Sequence, residues 1–107
     1  SLHDALPIYP VQIEDFIRTN EGVHDVAVIG LPDHRLGEVT CAIIEVKDGI
    51  VLTEDDINEF CMKLPRYKRP HKIIFTDIPR NPTGKIEKPK LREMYAGGRL
   101  VEAQNRG

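Results

Sequence analysis

The sequence predicts an α+β fold: a small three-stranded sheet containing an antiparallel hairpin, with three helices packed on it. Three observations lead there. The chain has 107 residues, room for one hydrophobic core and a single domain. Two runs rich in β-branched residues, Val23 to Leu31 and Glu38 to Lys47, are separated by a turn that opens on Pro32-Asp33 and closes on Gly37, the pattern of a hairpin. Apolar residues at helical spacing precede, follow and interrupt the strands, which gives the order α-β-β-α-β-α.

Each element has its own local reason. Pro10 suits the first turn of a helix, where its missing N–H costs nothing. Ile13, Phe16 and Ile17 then fall at i, i+3 and i+4 on one face, and Gly22 is expected to end the helix as a left-handed cap. Val26, Val28 and Ile29 centre the first strand, where β-branching favours strand over helix. The continuous apolar centres of both strands imply that both sheet faces are partly covered. Asp48-Gly49 makes the next turn. Thr53 before Glu54, Asp55 and Asp56 reads as a hydroxyl N-cap with acids placed favourably for the helix dipole. Ile57, Phe60, Cys61 and Leu64 are that helix's stripe, and Pro65 stops it. Arg66 to Pro70 is a basic connector, Lys72 to Thr76 a short third strand, and Ile78 to Thr83 irregular because of its two prolines. Pro89 opens a last helix with Leu91, Met94 and Tyr95 as its stripe; Gly97-Gly98 ends it, and the tail beyond should fray.

Composition excludes several classes. Hydrophobic residues make up 40% and charged residues 30%, ordinary for a soluble domain. No apolar run approaches the ~18–20 residues that span a bilayer. The opening SLHDALPIYP has neither a basic stretch nor a sustained apolar run, so it does not read as a secretory signal. Cys41 and Cys61 lie in apolar stretches and read as buried free thiols in a reducing compartment. His3, His24, His34 and His71 are scattered, with no His/Cys pair at metal-ligand spacing.

The net charge of −2 conceals a split. Residues 1–62 carry 3 Lys/Arg against 13 Asp/Glu, whereas residues 63–92 carry 10 against 2. An acidic body is followed by a basic segment. That segment admits a basic nucleic-acid-binding module, but it has few aromatics and no RNP, KH or helix-turn-helix pattern, so no nucleic-acid partner is expected.

Within the basic segment, residues 79–85 read Pro-Arg-Asn-Pro-Thr-Gly-Lys. Two prolines stiffen the approach. Gly84 permits φ > 0 or close backbone approach. Lys85 presents an ammonium beside the hydroxyl of Thr83, a point charge suited to phosphate or carboxylate oxygens. The run is not a phosphate-binding P-loop, because the first Gly of GxxxxGK[ST] is absent and Ile86 stands where Ser or Thr would. On spacing alone, a solvated β-turn with a surface lysine is the simpler reading.

From Ile8 to about Tyr95 the chain resembles the C-terminal domain of the adenylate-forming superfamily, which comprises acyl-CoA synthetases, adenylation domains of peptide synthetases and firefly luciferases. The matching pieces occur in order: Ile8-Tyr9-Pro10 with Ile13-Glu14; Gly22-Val23, Ala27-Val28-Ile29-Gly30 and Pro32-Asp33; Gly37-Glu38; Tyr67-Lys68-Arg69-Pro70; and Pro79 through Lys85, continuing from Ile86 to Leu91-Arg92. AMP-dependent acyl-CoA synthetases are the nearest in pattern. The resemblance implies activation of a carboxylic acid by ATP to an acyl-adenylate, then formation of a thioester with coenzyme A.

In that scheme Lys85 is the catalytic residue, steadying the carboxylate and an α-phosphate oxygen while two anions are brought together. Thr83, Gly84 and Lys68 are implied as cofactor-binding positions, Lys68 lying in a connector that reads first as a solvated charged stretch. Gly37 and Glu38 read as turn chemistry. The resemblance further implies a domain that rotates between the two half-reactions. Its partner is a large N-terminal adenylation domain that supplies the phosphate loop, the adenine and acyl pockets and the Mg accompanying ATP. Ser1 to Pro7 resemble nothing in the family; residues 1–8 read as a fragment boundary, residues 9–96 as the lid domain and 97–107 as a flexible tail. The fragment alone should be inactive, the implied localisation is cytoplasmic, and an acceptor thiol on a carrier protein is the alternative to coenzyme A.

Overall fold

In the computed structural model, which describes residues 9–96, the β-branched runs form β1 (Val23–Asp33) and β2 (Gly37–Val46), and β3 (Lys72–Phe75) completes one sheet in the order β1-β2-β3. β1 and β2 pair antiparallel, with Val26 opposite Ile44 and Val28 opposite Ala42; the register shifts between Val23 and Asp25. β3 pairs parallel to β2, Ile43 beside Ile74. A parallel neighbour requires a crossover, supplied here by α2 (Glu54–Phe60) and two 3₁₀ turns, Cys61–Lys63 and Arg66–Lys68. The sheet is therefore mixed, with the expected hairpin at one side.

The hairpin closes for local reasons. Asp33 Oδ1 accepts from the N–H groups of Arg35 (2.8 Å) and Leu36 (2.9 Å), and these bonds hold its carboxyl below its usual range. Gly37 takes φ +82°, where a Cβ is disfavoured. Both strands run further toward the turn than their apolar centres imply.

The helices follow their caps. α1 (Pro10–Arg18) begins with Pro10 in its first turn. Thr53 opens α2 with a reciprocal capping box: its side chain accepts from Asp56 N–H at 3.1 Å, and Asp56 accepts from Thr53 N–H at 2.9 Å. A third helix, α3, covers residues 88–96. Gly22 departs from expectation. The cap of α1 is Thr19 in right-handed geometry, and the positive-φ glycines among the described residues are Gly37, Gly49 and Gly84. Gly22 is glycine for space instead, since a Cβ there would lie 2.9 Å from Ile50 and 3.0 Å from Leu52. The Gly97-Gly98 stop, the tail and residues 1–8 lie outside the described residues.

Both sheet faces are covered, as the continuous apolar runs imply. On one, Val26, Val28, Ala42 and Ile44 meet Ile13 and Ile17 of α1 and Ile57 of α2. On the other, Ala27, Ile29, Leu31, Cys41 and Ile43 meet Ile78 and Leu91. Phe16 stacks on Phe60 with centroids 4.7 Å apart, joining the two helices of the first face. Met94 leaves the stripe expected of α3: it is 49% exposed, while Leu91 is buried and Tyr95 packs beside the second cluster. Among the described residues no helix is long and apolar enough to cross a membrane.

Cys41 and Cys61 are free and buried, one in each layer. Burial pushes both thiols up to about 11, because the interior disfavours a thiolate. Near pH 8 roughly one thiol in a thousand is then ionised. Iodoacetamide at that pH is expected to leave both cysteines unmodified in the native chain and to label both in guanidinium chloride, as counted by intact-mass spectrometry.

Candidate functional site

Residues 79–85 fold into a closed loop organised by one side chain. Asn81 Oδ1 accepts from Thr83 N–H (3.0 Å), the Thr83 hydroxyl (2.7 Å) and Lys85 N–H (2.9 Å). Its backbone accepts from Gly84 N–H at 2.8 Å and donates to the Lys85 carbonyl at 2.9 Å. Arg80 and Ile86 pair as a bridge that closes the base. Gly84 takes φ +84° with nothing near the position of a Cβ, so the turn itself, rather than crowding, demands glycine. The Asn-Pro pair at 81–82 is a turn-former whose side chain bonds its own downstream backbone. Asn81 is thus the organiser that reading for charge alone passes over.

The structure brings Thr83, Gly84 and Lys85 together at an exposed tip. Among the described residues no carboxylate pairs with the Lys85 ammonium. The bases that flank the loop, by contrast, are engaged. Arg80 pairs with Asp25, and Lys88 with Glu14 at 2.6 Å. Arg69 donates to the carbonyls of Leu64 and Met62, both at 3.0 Å, securing the end of the α2 segment. Two bases of the segment, Arg80 and Lys88, are thus paired with acids of the preceding body, one on each side of the loop that carries Lys85.

Lys68 lies elsewhere, at the N-terminal end of α1. Its ammonium donates to Gln12 Oε1 at 2.5 Å and sits 4.9 Å from the Tyr9 ring centroid and 5.7 Å from that of Tyr67. The two rings meet edge to face, 5.8 Å apart. All these partners are neutral, so they orient the ammonium without cancelling its charge. Glu38 departs from simple turn chemistry. Its carboxyl carbon lies 2.4 Å from where a Gly30 Cβ would stand, so Gly30 leaves room for that side chain.

The family model of the AMP-binding enzyme C-terminal domain matches residues 12–85, ending on the loop lysine. The chain belongs to that family. The chain is 52% identical over 91 residues to the long-chain-fatty-acid–CoA ligase FadD13 of Mycobacterium tuberculosis, covering 83% of this chain and 18% of that enzyme. It is 46% identical to the human mitochondrial medium-chain acyl-CoA ligase ACSF2, covering 80% of this chain and 14% of the relative. Among solved structures, the Mycobacterium tuberculosis fatty acyl CoA synthetase superposes with a TM-score of 0.77 at 49% identity, over 85% of this chain and 18% of that one. ATP-bound MatB from Rhodopseudomonas palustris superposes at 0.81 with 35% identity, over 85% and 18%. This member of the AMP-binding C-terminal family thus spans less than a fifth of the relatives' length.

Proposed function

We propose that this chain is the C-terminal lid domain, residues 9–96, of an AMP-forming acid–CoA ligase, with Lys85 as its catalytic residue. The observation that carries the reading is the ammonium of Lys85 on a closed loop, met by no carboxylate among the described residues, in a chain whose family match ends on that residue. In the first half-reaction a carboxylate oxygen attacks the α-phosphorus of ATP, and the bond to the pyrophosphate oxygen breaks. The attacking and receiving groups are both anionic. A positioned cation offsets their repulsion, and does so most in a site from which water is excluded. In the second half-reaction the coenzyme A sulfur attacks the acyl carbon and AMP leaves. The domain then presents another face and Lys85 withdraws.

The chain's own groups suit these anionic substrates. Thr83 and Gly84 shape the loop tip that meets ATP. Lys68, held by neutral partners, offers its charge to the phosphates of coenzyme A. Among the described residues no group of three or more His, Cys, Asp or Glu is placed to hold a metal, and the reading leaves Mg to the larger N-terminal domain. Two buried free thiols accord with a reducing, cytoplasmic setting.

The test uses the intact enzyme that carries this domain, assayed for acid-dependent ATP–pyrophosphate exchange and for thioester formation. Coenzyme A as acceptor supports the reading. Transfer only to a phosphopantetheine carrier protein replaces it with carrier loading. Exchange by the 107-residue chain alone overturns the lid assignment. Lys68→Ala is expected to raise KM for coenzyme A about three- to tenfold, the effect of roughly 1 kcal/mol of lost charge contact, with pyrophosphate exchange unchanged. Steady-state thioester kinetics check this.

A further inference from the structure

Among the described residues β1 is an edge strand, with β2 as its one neighbour in the sheet. Its outer edge should present unpaired N–H and C=O groups. Side chains occupy that edge instead. Glu14 Oε2 accepts from Val28 N–H at 2.7 Å. Asp25 Oδ1 accepts from Val26 N–H at 2.8 Å, and Arg18 reaches both the Val26 carbonyl and Asp25 at 3.4 Å. The two carboxylates that cover the edge are also the two that receive the lysine-loop segment. Asp25 pairs with Arg80, before the loop, and Glu14 pairs with Lys88, after it. Both acids are sheltered: Glu14 is 7% exposed, and the Asp25 side chain is 17% exposed.

We propose that Glu14 and Asp25 are positioning residues for Lys85, fastening both ends of its loop to the outer edge of β1. The inference rests on the reading of Lys85 given above. Neither acid touches substrate; each acts through the base it holds. Lys88 stands in the first turn of α3, so its bond to Glu14 sets where the helix starts and where the loop leaves it. Arg80, held by Asp25 and bridged to Ile86, sets the other end. A rigid tether matters because displacement of a charged group by about 1 Å lowers a rate by as much as ~10²-fold. Acids of α1 and β1 thereby receive the two bases that flank the loop.

The test is made in the intact ligase bearing this domain, with Glu14→Gln, Asp25→Asn and Lys85→Ala. Glu14→Gln retains an acceptor for Val28 N–H and removes the charge that holds Lys88. Each acid variant is expected to lower kcat for pyrophosphate exchange about tenfold or more, with KM for ATP and acid within twofold. Thioester formation from supplied acyl-adenylate should be unchanged, because Lys85 is withdrawn in that step. Lys88→Arg, which preserves the ion pair, should retain exchange. Equal loss in both half-reactions marks the acids as merely structural and overturns the inference, as does exchange within twofold of the parent in both acid variants while Lys85→Ala abolishes it. If Lys85→Ala itself leaves exchange intact, the reading of Lys85 falls instead.

Discussion

Lys85→Ala in the intact enzyme is expected to cut acid-dependent ATP–pyrophosphate exchange by about 10²–10³-fold, the loss seen when one preorganised electrostatic group is removed from a reacting centre. The loop should survive, since its closure depends on Asn81 Oδ1, on the Lys85 backbone N–H and carbonyl, and on the Arg80–Ile86 bridge. None of these involves the lysine side chain. The defect should therefore be chemical and not conformational: kcat falls while unfolding temperature stays put. Thioester formation from supplied acyl-adenylate should be largely preserved. Lys85→Arg should also be poor, because a planar fork cannot occupy the geometry of a compact ammonium. Equal activity of Lys85→Ala and parent in both half-reactions would refute the assignment.

Ile44→Ala should be the most damaging single truncation of the fold. Ile44 lies on the central strand, fully buried, opposite Val26 on one side and Phe75 on the other. Its side chain belongs to the layer shared with Ile13, Ile17 and Ile57, so a cavity there loosens β1, α1 and α2 together. Such truncations cost about 2–5 kcal/mol. A domain of this size has about 5–10 kcal/mol in total. The melting temperature should fall by about 10–20 °C, measured by circular dichroism. Val51→Ala, at a side chain 85% exposed, should change it by less than about 2 °C. A small shift for Ile44→Ala would mean that the two-sided core is not the source of stability.

The elements of this domain are legible in its sequence wherever the signal is local. β-branching marks β1 and β2, Gly37 the hairpin turn, and Thr53 with Asp56 the start of α2, each a matter of one residue's preference or one short-range bond. Gly22 shows the limit. A glycine after a helix signals a left-handed cap, but here it makes room for Ile50 and Leu52, residues remote in sequence. Met94 shows another: spacing places it on the stripe of α3, but it is exposed where Leu91 is buried against the sheet. The parallel pairing of β3 is likewise set by where the crossover returns.

The candidate site divides along the same line. Pro-Arg-Asn-Pro-Thr-Gly-Lys by itself determines that a lysine follows a glycine at a stiffened turn, because proline and glycine restrict or free the backbone locally whatever surrounds them. The charge split is likewise a property of the sequence alone. Which charges cancel is a property of the fold. Glu14 and Lys88, far apart along the chain, meet at 2.6 Å because α1 and α3 both reach the edge of β1, and Asp25 meets Arg80 where the loop segment passes β1 itself. Coulombic pairing depends on distance in space, which no pattern of spacing along the chain supplies. Tertiary structure alone decided that Arg80 and Lys88, on either side of the loop, are held by acids, while among the described residues no carboxylate meets Lys85.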